Sequence, residues 1–167
     1  VGIGAMGNIV VAGDTQSGDY PTTLMSRTGD GFDGFVTALA ADGGTIDYST
    51  LVGGILADGG GIGDEARAVA SATDGSIYVA GVTGSVNFPR TPGGVDLDTD
   101  TGFSGFIVRL DSSGQTLLWS TVVGGSSDDT VDAIARAPDG DVIVTGSTFS
   151  GDFPTSPGCF DATHNSL

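Results

Sequence analysis

One phrase occurs three times in the chain and limits what it can become. "VAGDTQSGDYPTT" (Val11 to Thr23), "VAGVTGSVNFPRT" (Val79 to Thr91) and "VTGSTFSGDFPTS" (Val144 to Ser156) share an order of β-branched residues, a Gly, a Ser and an aromatic-Pro pair. Gly13, Gly81 and Gly146 align at spacings of 68 and 65 residues. A second block, "GFDGFVTALAADGGTIDYSTLVGG" (Gly31 to Gly54), returns as "GFSGFIVRLDSSGQTLLWSTVVGG" (Gly102 to Gly125). A third, "DEARAVASATDG" (Asp64 to Gly75), returns as "DTVDAIARAPDG" (Asp129 to Gly140). Long-period self-similarity of this kind marks an array of one supersecondary unit.

Each block reads as β-strand. Ala66 to Ser71 and Val131 to Arg136 alternate small apolar residues with others, and Asp74-Gly75 and Asp139-Gly140 follow as hairpin turns. Ile77 to Val82 and Val142 to Ser147 are the returning strands, Phe106 to Leu110 a third, and Thr116 to Val123 a fourth. No window holds a capped 3.6-residue period, so no helix is expected. Four antiparallel strands per period predict an all-β fold of β-propeller blades. Residues 1–63 form a first blade with a partial first strand, 64–128 a complete second, and 129–167 the first half of a third. That count predicts an incomplete propeller, because closure takes at least about four blades. The expected partners are therefore further blades of the same protein, or further copies in a ring or filament.

Those residues resemble the bacterial and archaeal β-propeller repeat often called SBBP. Its order is a "DG" turn, "IYVAGxT", "FPTT", "GxxDAFVxKLDxSG" and "YSTxLGG". The second repeat here reads "DGSIYVAGVT", "NFPRT", "GFSGFIVRLDSSG" and "LLWSTVVGG"; the first gives "DYPTT", "GFDGFVTALAADGG" and "DYSTLVGG". The likeness covers nearly the whole chain. It implies an exported, surface-associated propeller without enzyme activity. Ala38 and Arg109 replace the family's Lys, and residues are added at Leu56 to Gly63 and Asp96 to Asp100.

Charge narrows the partners. The 167 residues include five Arg, no Lys and 21 acids, of which Glu65 is the one glutamate, for a net charge of −16. Phosphate binding needs clustered cations, so nucleic acid and anionic membrane surfaces are excluded as partners. Nothing approaches a membrane span, so no membrane insertion is expected. Asp without Glu, together with 30 Gly, belongs to turns. A lysine-free acidic surface suits an extracellular or cell-surface protein. Cys159 is the one cysteine, which leaves no intrachain disulfide within these residues.

Several stretches imitate active sites. "GIGAMG" (Gly2 to Gly7) spells a dinucleotide fingerprint, but a strand follows it and its aligned copies are "ASATDG" and "ARAPDG". It reads as a hairpin. "DGGGIGDE" (Asp58 to Glu65) lacks the Lys of a phosphate cradle. His164 with Asp161 has no nucleophile elbow beside it. Asp128, Asp129 and Asp132 could pair as glycosidase acids, yet Asp129 repeats Asp64 and reads better as a turn or inter-blade contact. Tyr48 and Trp119 share a repeat position and read as packing, with a sugar-stacking platform as the alternative. The metal candidate is "DLDTDTG": Asp96, Asp98 and Asp100 offer carboxylates at every second position, as a calcium loop begins. The EF-hand pattern fails, since its sixth and twelfth positions are Thr101 and Ile107. The expected function is a non-catalytic scaffold or adhesion surface. The alternative is a calcium- or carbohydrate-binding module built on the acidic loops after the Phe-Pro pair.

Overall fold

The computed structural model describes residues 1–23, 31–54, 63–92 and 102–163, together with the backbone of 96–97. It is all-β, and no helix occurs among the described residues. The first sheet is a meander of β1 (Gly2–Ile3), β2 (Ile9–Thr15), β3 (Asp33–Leu39) and β4 (Ile46–Val52). The second repeats that order with β5 (Asp64–Ser71), β6 (Ile77–Thr83), β8 (Ser104–Leu110) and β9 (Leu117–Val123). A two-residue strand, β7 (Asp96–Leu97), lies parallel to β9 at the sheet's edge. The third sheet pairs β10 (Asp129–Arg136) with β11 (Val142–Thr148). Within each meander every neighbouring pair is antiparallel. The described sheets follow one another as an open succession, not a closed ring.

The strands form where the alternation placed them, and most extend one or two residues further. Their turns are made by the chemistry the sequence announced. Gly75 and Gly140 adopt φ of 86° and 104°, and each donates its N–H to the carbonyl three residues earlier, on Ala72 and Ala137. "GIGAMG" is the same device. Gly7 donates to the Gly4 carbonyl at 2.9 Å and Gly4 to the Asn8 carbonyl at 2.8 Å, closing the β1–β2 hairpin.

Two bulges each occur twice, and the β3–β4 and β8–β9 ladders carry one at Asp47 and Leu118. The β5–β6 ladder bulges at Arg67, and the β10–β11 ladder bulges at Asp132. In this second pair the carbonyl two residues before the bulge lies over a glycine. A Cβ on Gly81 would run into the Glu65 carbonyl oxygen, and one on Gly146 into that of Thr130. The glycine of the repeated phrase is thus required by close backbone approach.

Sheets join face to face through a repeated crossing. β5 packs across β1, β2 and β3, and β10 packs across β5, β6 and β8. One core lies between the first and second sheets, where Val10, Val36 and Tyr48 meet Val79, Phe106 and Val108. A smaller core joins the second and third, where Ala80 and Ile107 meet Val131. β6 is buried at every position, as a strand packed on both faces must be. Burial of this apolar area, worth roughly 25 cal/mol per Å², is what holds successive sheets together.

Candidate functional site

The polar residues of the repeated phrase converge on the joints between sheets. In all three copies a Thr hydroxyl accepts a hydrogen bond from the Ser N–H two residues on. The pairs are Thr15–Ser17, Thr83–Ser85 and Thr148–Ser150, each at 3.0 Å. The Ser carbonyl then accepts from the aromatic N–H, at 3.3 Å for Tyr20, 3.2 Å for Phe88 and 3.3 Å for Phe153. Each strand ends at the threonine, and two stacked turns then fix the ring ahead of the proline.

That rigid exit holds an acid of the next strand. Asp64 is buried at the start of β5, and Asp129 at the start of β10. Asp64 Oδ2 accepts from the Gly54 N–H and the Ser85 hydroxyl, both at 2.8 Å. Asp129 Oδ2 accepts from the Gly125 N–H and the Ser150 hydroxyl, both at 2.7 Å. Their own N–H groups donate to Phe32 and Phe103 carbonyls at 2.8 and 2.7 Å. Each acid thereby ties three elements: the end of the preceding sheet's fourth strand, the start of its third strand and the exit of its own sheet's second. In both, Oδ1 is buried with no hydrogen-bond partner among the described residues. Burial raises the Asp64 pKa above the usual carboxylate value, and the hydroxyls of Thr83 and Ser85 and the Gly54 N–H oppose that rise.

Phe88 enters the core, while Tyr20 and Phe153 are half-buried. Phe88 stacks on Phe106 with centroids 4.7 Å apart, and Tyr20 on Phe35 at 4.6 Å. The edge of the fourth strand is covered by the threonine two residues past the proline. Thr23 Oγ1 donates to the Ser49 carbonyl at 2.9 Å and accepts from the Ser49 N–H at 3.0 Å. Thr91 does the same on Ser120, at 3.3 and 3.0 Å. One hydroxyl thus satisfies both backbone groups of an edge residue that would otherwise template another strand.

The sequence candidates separate on this frame. Asp128, Asp129 and Asp132 do not form an acid pair. Asp128 Oδ1 accepts from the Phe103 N–H at 3.1 Å, Asp129 holds the joint, and Asp132 pairs with Arg67 at 2.6 Å. That last contact links the bulge residues of successive sheets. Tyr48 is buried in the first core, and burial, with Asp111 and Asp47 nearby, pushes its pKa up to about 12. Trp119, its counterpart, is half-buried and meets Tyr78 edge-on at 6.0 Å. Cys159 is an exposed free thiol. Asp96 enters β7 by its backbone, while Asp98 and Asp100, the other two calcium candidates, lie outside the described residues. His164 and most of the Asp58 to Glu65 loop lie outside them as well.

Two concavities border the phrase's exits. One of about 30 Å³ is lined by Thr83, Ser85, Arg90 and Ser104, and is large enough for a water. A cleft of about 300 Å³ is lined by Ser17 to Thr22 and Leu51. Neither lining brings a nucleophile together with a His or Lys base. Among the described residues no three His, Cys, Asp or Glu side chains converge as metal ligands. No protein-family model matches the chain, and no curated protein matches it. The recurrence of Asp64 in Asp129 was visible in the sequence. Its partners Ser85 and Gly54 were not, because that triangle exists only once sheets stack.

Proposed function

We propose that the chain is a non-catalytic β-propeller segment, each meander being a blade, and that it serves as an extracellular or cell-surface scaffold or adhesion surface. The observation that carries this reading is the joint. Asp64 and Ser85, with their copies Asp129 and Ser150, fasten one sheet to the next, and Thr83 and its copies hold the turn that presents the serine. A catalytic site would place one polar constellation once, in a cleft. A scaffold repeats its polar contacts at every joint. Neighbouring blades, in this protein or in further copies, are the partners this reading requires. The net charge of −16 keeps such an array soluble and disfavours polyanionic partners.

Treating intact cells with a membrane-impermeant maleimide-biotin, which reacts with the exposed thiol of Cys159 in this lysine-free chain, tests the location. The reading expects the protein to be labelled without lysis, and labelling only after lysis would remove the cell-surface role. Calorimetric titration of calcium into the purified chain tests the loop from Asp96 to Asp100. A scaffold without metal gives no heat and no thermal shift; saturable heat would transfer the function to a calcium-binding module.

A further inference from the structure

Asp64 lies in the joint between the first and second sheets and is 1% exposed. Its Oδ2 accepts from the Gly54 N–H and the Ser85 hydroxyl. Its Oδ1 has no hydrogen-bond partner among the described residues and no surface open to water. The same burial, the same two bonds and the same bare oxygen recur at Asp129. A desolvated carboxylate is costly unless donors or a counter-charge meet it. A water, a cation or a proton can supply what Oδ1 lacks. A water or a hydrated cation needs room beside the atom, and Oδ1 offers none. A cation stripped of its water needs several oxygens at once, and no three acids converge among the described residues. A proton needs no cavity.

We propose that Asp64 is a proton-operated latch on this joint. Its carboxyl takes up a proton as pH falls, which closes the joint, and gives it to solvent as pH rises, which loosens the joint. The neutral acid keeps both Oδ2 bonds, because a carbonyl oxygen has two lone pairs. It carries its proton on Oδ1. The neighbouring hydroxyl is that of Thr83, directly opposite Asp64 in the β5–β6 ladder. Thr83 Oγ1 accepts from the Ser85 N–H and has a second lone pair for the carboxyl proton. The ionised form keeps the same Oδ2 bonds but leaves its charge in a dry joint. Opening the joint lets water reach that charge.

Burial pushes the Asp64 carboxyl above its ordinary value of 3.8, and hydrogen bonds from Thr83, Gly54 and Ser85 pull the other way. Of the elements packed on β5, β1 carries no titratable side chain, β2 carries Asp14, β3 Asp33 and β6 Tyr78. β10 carries Asp129, Asp132 and Arg136. On β5 itself Glu65 pairs with Arg67, whose other arm holds Asp132. The Asp64 balance is set by burial and hydrogen bonds, not by these charges. The folded chain therefore holds this proton more tightly than the unfolded chain, and the latch is strongest in acid. It belongs to one joint and rests neither on ring closure nor on cellular location.

Two readings on the native chain test the latch. One is an NMR titration of the Asp64 Cγ resonance. The other is hydrogen exchange of the Gly54 and Asp64 amides, which donate across the joint to Asp64 Oδ2 and the Phe32 carbonyl. The latch predicts a Cγ midpoint above 3.8. Amide protection, corrected for the intrinsic rise of exchange with pH, should fall by up to about tenfold per pH unit from 3.8 to that midpoint, the slope of one proton released on opening. Above the midpoint the fall should stop. Asp64→Asn should remove the slope; where that variant does not fold, the native titration alone decides. A midpoint at or below 3.8 overturns the latch, as does protection that is flat or rises across that range. A midpoint that moves with calcium at fixed ionic strength assigns Oδ1 to a cation and overturns it too. Either outcome leaves the scaffold reading untouched, since that reading is decided by labelling of intact cells.

Discussion

Asp64 shows how one residue can be both costly and structural. Its Oδ2 closes two short hydrogen bonds, while Oδ1 is buried without a partner and the charge is desolvated. Replacing it with Ala leaves the Gly54 N–H and Ser85 hydroxyl unsatisfied, so Asp64→Ala should lose about 2–4 kcal/mol in denaturant unfolding. The pH dependence has a definite sign. A carboxyl whose folded pKa is raised binds its proton more tightly in the folded state. Its contribution is therefore full below the unfolded value of about 4 and declines as pH rises through the folded pKa. Relative to Asp64→Asn, which does not titrate, the native chain should lose stability as pH rises from about 4 through the raised folded pKa. Parallel denaturant curves for the two proteins across that range measure the difference; a native chain that gains stability instead would contradict the assignment. The Arg67–Asp132 pair is a lesser contributor, since side chains 34% and 45% exposed are screened by solvent.

Elements were legible wherever a local pattern sufficed. Apolar alternation located the long strands, and Asp-Gly located the hairpins, because both depend on neighbours in sequence. The bulges at Arg67 and Asp132 were not legible, since they answer to the crossing of one sheet over the next. β7 was missed for a similar reason: two residues paired in parallel to β9 carry no periodicity. The glycine of the phrase was visible as an aligned position, and the structure supplies its reason, the Glu65 carbonyl over Gly81 and that of Thr130 over Gly146. Gly81→Ala should therefore cost about 1–3 kcal/mol by overpacking. Gly18, with no atom within 4 Å of a built Cβ, serves as control, and Gly18→Ala should stay within about 0.5 kcal/mol. Thermal melts of both variants check the contrast, and equal losses would show that the carbonyl contact is not what selects glycine.

At the scale of the molecule, the cores lie between sheets rather than within one. Phe106 is fully buried in a cluster that includes Val10 and Val36 of the first sheet. Phe106→Ala should cost about 3–5 kcal/mol. The loss should appear as one cooperative transition of the first and second sheets, read by hydrogen exchange on β2 and β6 together. Loss of protection in β6 alone would mean that each sheet is stable by itself. Function was less legible than fold. The joint is visible as repetition, but what a scaffold presents depends on the variable loops after each aromatic-Pro pair. The calcium candidates Asp98 and Asp100 belong to such a loop.

The central claim is that these meanders are blades of one propeller, joined by a single repeated acid clip. Single-particle electron microscopy of the protein, in the form in which cells make it, tests this most directly. The account predicts end-on views of a closed ring of at least about four blades around a central channel. A linear stack or a flat sandwich of the same sheets would contradict it.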